Sequence, residues 1–297
     1  MNNTDDVILL KVDFAFQYVM RNKTILGALI ADVLGYDRED ITCIQPMQKD
    51  LEKEHVDDKL GILDVYVTIR EKTRINIELQ VRSFEFWVNR SLFYTCKMYT
   101  EQVKAGTIYD EIHPCVSISI LDFTLFDDVE QFHSRYRLMN EETGKIYTDK
   151  IEFHTIELTK LKNAGEEEQK SDLYKWAKMF QASTWEEYKQ IGKEDEVMGE
   201  VVRELEKINQ DEEARLDYLH RQMAIMDKKQ ELKDARRHGI EEGISQGITQ
   251  GKKEGIELGV KAMIEALREL NLSDETIIEK LKEKFALSQK EAEKYLE

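Results

Sequence analysis

Asp64 and Glu78 are the residues of this 297-residue chain whose types and spacing could do chemistry together. Asp64 interrupts the apolar run Ile62-Leu63-Asp64-Val65-Tyr66-Val67-Thr68-Ile69, and Glu78 sits in the alternating run from Arg74 to Val81. A lone carboxylate among apolar neighbours is costly unless it is paired or binds a metal. Two carboxylates and a carbonyl on adjacent strands make a hard-oxygen site. That suits Mg²⁺, which takes few carboxylates and keeps several waters. Such an ion polarises a phosphodiester and lowers the pKa of a bound water. Gln80, two residues past Glu78, would orient that water or contact the phosphate.

A hairpin must position these groups. The β-branched and aromatic residues 62–69, the polar break Arg70–Thr73 and the alternation of 74–81 predict two antiparallel strands. On the second, Asn76, Glu78 and Gln80 oppose Ile75, Ile77, Leu79 and Val81; on the first, Asp64 and Tyr66 oppose Leu63, Val65, Val67 and Ile69. Register then decides the matter. A turn of two or four residues sets Asp64 opposite Leu79, with the carboxylates on opposite faces. A turn of three pairs Asp64 with Glu78 or Gln80. The competing structural reading pairs Asp64 with Arg74 or Lys59 and leaves Glu78 on a solvated face. The hairpin alone does not choose between them.

The remaining pattern predicts the frame. Apolar residues recur at helical spacing from Val7 to Val19 and from Ile25 to Leu34, with Gly35 ending the second helix. Phe86–Ala105 reads as a helix ending at Gly106, and Val116–Leu121 as a third strand. Tyr136–Met139 and Ile151–Leu158 read as two more, joined through Asn140–Gly144. From Lys160 the chain is helical and acidic. This order predicts an α/β (α+β) fold, a mixed central sheet flanked by helices with a helical C-terminal extension. The expected domains are 1–235, with its sheet core over 1–160 and a helical part over 161–235, and a tail over 236–297. In the tail, glycine recurs at every fourth position from Gly239 to Gly259. Each glycine costs a helix ~1 kcal/mol, so either close packing offsets them or the segment is mobile. The ~40° drift per four residues favours mobility. Ser273 and Ser288 with Glu291 predict caps for a terminal helical pair.

The net charge of −17 counts against bulk attraction to nucleic acid and predicts weak, salt-sensitive, metal-dependent contact. No apolar run reaches the ~18–20 residues of a membrane span. The acidic N-terminus lacks a secretory signal. Cys43, Cys96 and Cys115 form neither a disulfide framework nor a zinc site. These features predict a cytoplasmic protein with no membrane partner. The six histidines show no paired ligand spacing.

In order and spacing the chain resembles the recombination-promoting nucleases (Rpn), transposases of the PD-(D/E)XK superfamily. The matching residues are Lys11-Val-Asp13-Phe-Ala-Phe16, Asp58-Lys59-Leu-Gly-Ile-Leu63-Asp64-Val65, Asn76-Ile-Glu78-Leu-Gln80, Arg90-Ser-Leu-Phe-Tyr94, Gly106–Tyr109, Ile151–Leu158 and Trp176–Phe180, with the glycine-repeat tail. The resemblance implies a restriction-endonuclease-like core and metal-dependent DNA cleavage in recombination or on mobile DNA. It makes Asp64 and Glu78 the ligands of Mg²⁺, with Mn²⁺ as an alternative. Gln80 then takes the place of the superfamily's lysine, and Asp13 completes the acidic cluster. No proline precedes Asp64. Glutamine carries neither charge nor proton, so charge stabilisation falls to the metal, Lys59, Arg82 or Arg90, which are also the candidate DNA contacts. A homodimer fits double-strand cutting by fold-level analogy. The other function class is a nuclease-fold interaction protein, catalytically weak or inactive, that oligomerises through its helical tail.

Overall fold

A computed structural model describes residues 7–41, 44–47, 50–51, 61–62, 64–70, 72–83 and 85–296. The chain forms two compact units, Met1–Leu219 and His220–Glu297. It opens with α1 (Asp13–Val19) and α2 (Lys23–Leu34), then β1 (Gln45–Pro46), β2 (Asp50–Leu51) and β3 (Gly61–Ile62). The hairpin follows as β4 (Val65–Ile69) and β5 (Thr73–Gln80), then α3 (Trp87–Thr100). Next come β6 (Cys115–Leu121), β7 (His133–Arg137) and β8 (Ile151–Glu157). The helices α4 (Glu166–Gln169), α5 (Asp172–Gln181), α6 (Trp185–Gly192) and α7 (Glu196–Gln210) complete the run before α8 (Glu212–Glu269), α9 (Asp274–Phe285) and α10 (Gln289–Lys294).

The main sheet has the order β1-β4-β5-β6-β8-β7, and β2 and β3 pair separately. The strand pair β5/β6 is parallel and so is β6/β8, while β1/β4, β4/β5 and β7/β8 are antiparallel. This is the predicted mixed sheet. One face carries Val65, Val67, Ile75, Ile77, Val116 and Ile118, all buried in the main core with Phe16, Leu29, Trp176 and Phe180. The other face carries Tyr66, Asn76, Glu78, Ser117, Ser119 and Thr155, and Tyr66 packs there with Tyr94 and Met98 of α3.

Several boundaries differ from the sequence reading. The first helix begins at Asp13 rather than near Val7, because tertiary side chains take the preceding amides. Ile8 N–H donates to Asn209 Oδ1 at 3.1 Å and Leu10 N–H to the Tyr188 hydroxyl at 2.9 Å. Asn22, where the apolar pattern breaks, caps α2 by accepting from Thr24 and Ile25. Gly35 ends α2 in the left-handed conformation at φ 71°, as expected. The helix expected to reach Gly106 stops at Thr100. Beyond it Gln102 ties the chain to His113, accepting at 2.9 Å and donating at 3.1 Å. The strand expected over Tyr136–Met139 is β7, shifted to His133–Arg137, with a lone bridge from Met139 to Ile146 beyond it.

In the second unit, Val260, Ile264, Ile277, Leu281 and Ala292 form a small core, and Ser273 and the Ser288–Glu291 box cap α9 and α10 as predicted. The glycine repeat lies within the helix α8. A methyl group at Gly239, Gly243, Gly247, Gly251 or Gly255 would meet nothing within 4 Å, whereas at Gly259 it would meet Phe285 at 3.0 Å. Close packing therefore offsets the glycine cost at one position among the described residues. Elsewhere the intervening Glu, Gln and Lys, all strong helix formers, carry the helix.

Tyr188 is fully buried, and its hydroxyl accepts from Leu10 and donates to the Ala182 carbonyl at 3.1 Å. Tyr188→Phe leaves both backbone groups unpaired and costs about 1–3 kcal/mol. The expected result is a lower urea midpoint with an unchanged slope. An unchanged midpoint would show that this bond does not anchor the N-terminal segment.

Candidate active site

Ile69 pairs with Thr73 and Val65 with Ile77, so the turn between β4 and β5 holds three residues. Arg70 starts it at φ 50°, and Lys72 N–H donates to the Ile69 carbonyl at 3.0 Å. This is the odd length that a shared carboxylate site requires. Continued one step beyond Val65, the register sets Asp64 opposite Glu78 rather than Gln80. Residues directly opposite in antiparallel strands share a face. Asp64 Oδ2 accepts from Leu79 N–H at 3.1 Å, which holds the carboxylate against the β5 backbone. Arg74, one competing partner for Asp64, instead donates to the Tyr66 hydroxyl at 3.2 Å and the Met98 carbonyl at 3.4 Å. Lys59, the other, lies outside the described residues.

Glu78 is 5% exposed, not on a solvated face. Its Oε1 accepts from Asn76 Nδ2 at 2.9 Å. Arg90 Nε lies 3.7 Å from Oε2, an ion pair too long to be a hydrogen bond. Burial raises the Glu78 pKa above its usual 4.5, and Asn76 and Arg90 pull it back only in part. Arg90 also stacks on the buried Tyr94 ring, 4.7 Å from its centre. Among the described residues, Asn76 Oδ1 and Arg90 Nε are buried polar atoms with no hydrogen-bond partner.

The other expected residues are less closely gathered. Gln80 shares the Glu78 face by alternation, but its amide donates to the Arg82 carbonyl at 3.1 Å. The Arg82 side chain is exposed. Asp13 is exposed on α1 and accepts from Gln17 Nε2 at 2.8 Å. Gln17 in turn lines, with Arg21, Lys23, Met47 and Asp64, a cavity of about 260 Å³. Sequence reasoning missed Arg21 and Lys23. Their signal was two cations flanking the Asn that caps α2. It also gave Asn76 no role, although it placed that residue on the correct face.

Among the described residues, no three His, Cys, Asp or Glu side chains are gathered closely enough to hold a metal ion. A two-carboxylate site is nonetheless a setting Mg²⁺ accepts, because it retains waters. The donors are all hard oxygens: the carboxylates of Asp64 and Glu78 and the unpartnered amide oxygen of Asn76. A cation there would offset the desolvation that raises the Glu78 pKa. The residues therefore fit a hard divalent ion. The histidines hold a different arrangement on the opposite face. His133 Nε2 meets His154 Nδ1 at 2.9 Å, His154 Nε2 meets Glu152 at 2.6 Å, and Arg135 donates twice to Glu152 at 2.8 Å.

The mixed sheet, its flanking helices and this acidic hairpin define a restriction-endonuclease-like α/β fold. A family model described as PD-(D/E)XK nuclease family transposase matches residues 10–235. The chain belongs to that family. No curated protein and no solved structure matches it. Among the described residues, no helix is long and apolar enough to cross a membrane.

The Glu78 environment sets a dependence of stability on pH. The folded carboxyl keeps its proton to a higher pH than the unfolded one, so unfolding releases that proton. Stability from this group is lost as pH rises from about the usual 4.5 through the raised folded value. Glu78→Gln keeps the bond from Asn76 and removes the buried charge. In metal-free buffer it is expected to raise Tm at pH 7 and leave it unchanged near pH 3.5. Equal melting of both proteins at pH 7 would show that Glu78 is not under strain from burial.

Proposed function

We propose that this chain is a divalent-metal-dependent DNA endonuclease acting in recombination or on mobile DNA. Its family is one of nucleases, and nucleases of this superfamily generally use divalent metals. The observation that carries the reading to this chain is the register of the hairpin. A three-residue turn gives a register that, carried one step before β4, faces Asp64 towards buried Glu78, and Asp64 bonds to Leu79 N–H of the same strand as Glu78.

In this reading Asp64 and Glu78 hold the ion, Mg²⁺ by the hardness of the donors and Mn²⁺ as its substitute. When bound, the ion supplies Lewis-acid polarisation of the phosphodiester and a more acidic water. The side chains do the rest. Asn76 orients Glu78 through its amide. Arg90 stands beside Glu78 and stacks on Tyr94, ready to meet a phosphate oxygen. Arg21 and Lys23 share a cavity with Asp64 and offer positive charge to the DNA backbone. Gln80 can donate to a phosphate or a water, but it cannot carry a proton. Arg82 and Lys59 are further backbone contacts. Asp13 acts through Gln17, which it fixes at the edge of the cavity.

A second reading, a weakly catalytic or inactive interaction protein, draws support from α8. Ile240, Ile244 and Ile248 are each more than half exposed at four-residue spacing beside the glycines. Such a surface suits a helical partner, including a second copy of this chain.

Nicking of supercoiled plasmid separates the two readings. Wild type with Mg²⁺ is expected to convert the plasmid, and chelation to stop it. Asp64→Ala and Glu78→Ala should each lose several kcal/mol of transition-state stabilisation, about a hundredfold or more in rate. Equal cutting by all three proteins would remove this site from the chemistry. No cutting by wild type would favour the interaction reading.

A further inference from the structure

Glu78 divides its two oxygens between two partners. Oε1 accepts from Asn76 Nδ2 at 2.9 Å, and Oε2 faces Arg90 Nε at 3.7 Å. The second oxygen is the one without a hydrogen bond from Asn76, and Arg90 already stands at it. A divalent ion held by Asp64 and Glu78 must share that oxygen with a guanidinium or displace it. Asn76 Oδ1, at the same carboxylate, is buried with no hydrogen-bond partner among the described residues. It is a second group here whose burial calls for a ligand.

The Arg90 contact is built differently from the fixed ion pairs of the same unit. Arg38 donates to both oxygens of Asp32, at 3.1 and 2.8 Å, and Arg135 to both oxygens of Glu152 at 2.8 Å. Such forked pairs lock both side chains. Arg90 makes no such fork with Glu78. Its Nε is buried and has no hydrogen-bond partner among the described residues, so it gives up hydration without gaining a bond. The Glu78 side chain is 7% exposed and that of Arg90 is 37% exposed, so the guanidinium reaches from solvent to a buried charge. Its support is the Tyr94 ring, 4.7 Å away at the centre. Stacking on a ring face fixes direction far less than a forked hydrogen bond does.

We infer that Arg90 is an exchangeable counter-ion of Glu78, which a divalent ion displaces and whose freed guanidinium takes a phosphate of the bound DNA. The inference rests on the nuclease reading and deepens it. Arginine cannot shed its charge, so a guanidinium and a divalent ion at one carboxylate oxygen repel, most strongly where water is excluded. Movement of Arg90 is the way to relieve that conflict. A phosphate gives it a destination, because the planar fork of arginine matches two phosphate oxygens. Arg90 then holds ion affinity down until DNA arrives. Ion and DNA each favour the other's binding, and the coupling is reciprocal.

The test is Mn²⁺ binding to the full chain, read from the electron paramagnetic resonance signal of the free ion. Arg90→Gln should bind Mn²⁺ roughly ten- to a hundredfold more tightly than wild type, the effect one charge has at this distance. Arg90→Lys retains the charge and should stay close to wild type. Arg82→Gln removes an exposed charge just after β5 and should change the affinity by less than about threefold. A short duplex should tighten Mn²⁺ binding to wild type severalfold, after subtraction of ion held by the duplex alone, and should do so less in Arg90→Gln. Melting curves identify a variant that fails to fold, and Arg90→Met, which keeps an apolar stem on Tyr94, then takes the place of Arg90→Gln. Affinity unchanged or weakened without the Arg90 charge overturns the exchange. So does an equal gain in Arg82→Gln, or tightening by the duplex that is the same with and without Arg90. Plasmid nicking is measured on the same samples. Wild type that nicks plasmid alongside any of those results overturns the exchange alone. Wild type that binds no Mn²⁺ and cuts no DNA overturns the nuclease reading and this inference together.

Discussion

The hydrogen bond from Leu79 N–H to the Asp64 carboxylate depends on a turn of three residues, and the rest of the site depends on it in turn. One residue more or fewer between Ile69 and Thr73 would shift the register by one and turn Asp64 and Glu78 to opposite faces of the sheet. Arg70 adopts a left-handed conformation at φ 50°, a local cost accepted to make that short reversal. The cross-strand bond then holds the carboxylate at the start of β4.

That hairpin divides the sheet into two unequal faces. One is a packed apolar layer against the N-terminal helices and α5 to α7. The other is a polar strip, Asn76, Glu78, Ser117, Ser119 and Thr155, roofed by α3. Keeping Glu78 there costs stability, because its carboxyl is desolvated and the Arg90 cation paired with it stands 3.7 Å away. Strain of this kind gathers where a ligand can relieve it. Asn76 Oδ1 and Arg90 Nε, buried without a hydrogen-bond partner among the described residues, lie on this side of the sheet.

Under the proposed function, local electrostatics must let an acidic chain face DNA. With a net charge of −17, it cannot rely on a general attraction. The local balance differs. Arg21 and Lys23 line the Asp64 cavity, and Arg90 stands at Glu78. A divalent ion would add further positive charge where phosphates must approach. Binding organised in this way is local and salt-sensitive.

Much of this was legible in the sequence. Strand alternation, the polar break after Ile69, Gly35 as a helix end and the caps at Ser273 and Ser288 are local, and local periodicity reports them directly. So does the pairing of Asp64 and Glu78 as candidates, since charges in apolar strands demand a reason. Only the tertiary structure decided the rest. The turn length settled the register, which composition left open. Tyr188 and Asn209 drew the N-terminal amides away from a helix that their spacing suggested. Arg21, Lys23 and the row from Glu78 to Thr155 are distant in sequence and meet through parallel strand pairing and helix packing. A sequence records which residues seek burial or a partner. Which ones meet is set by long-range pairing, and no local pattern encodes it.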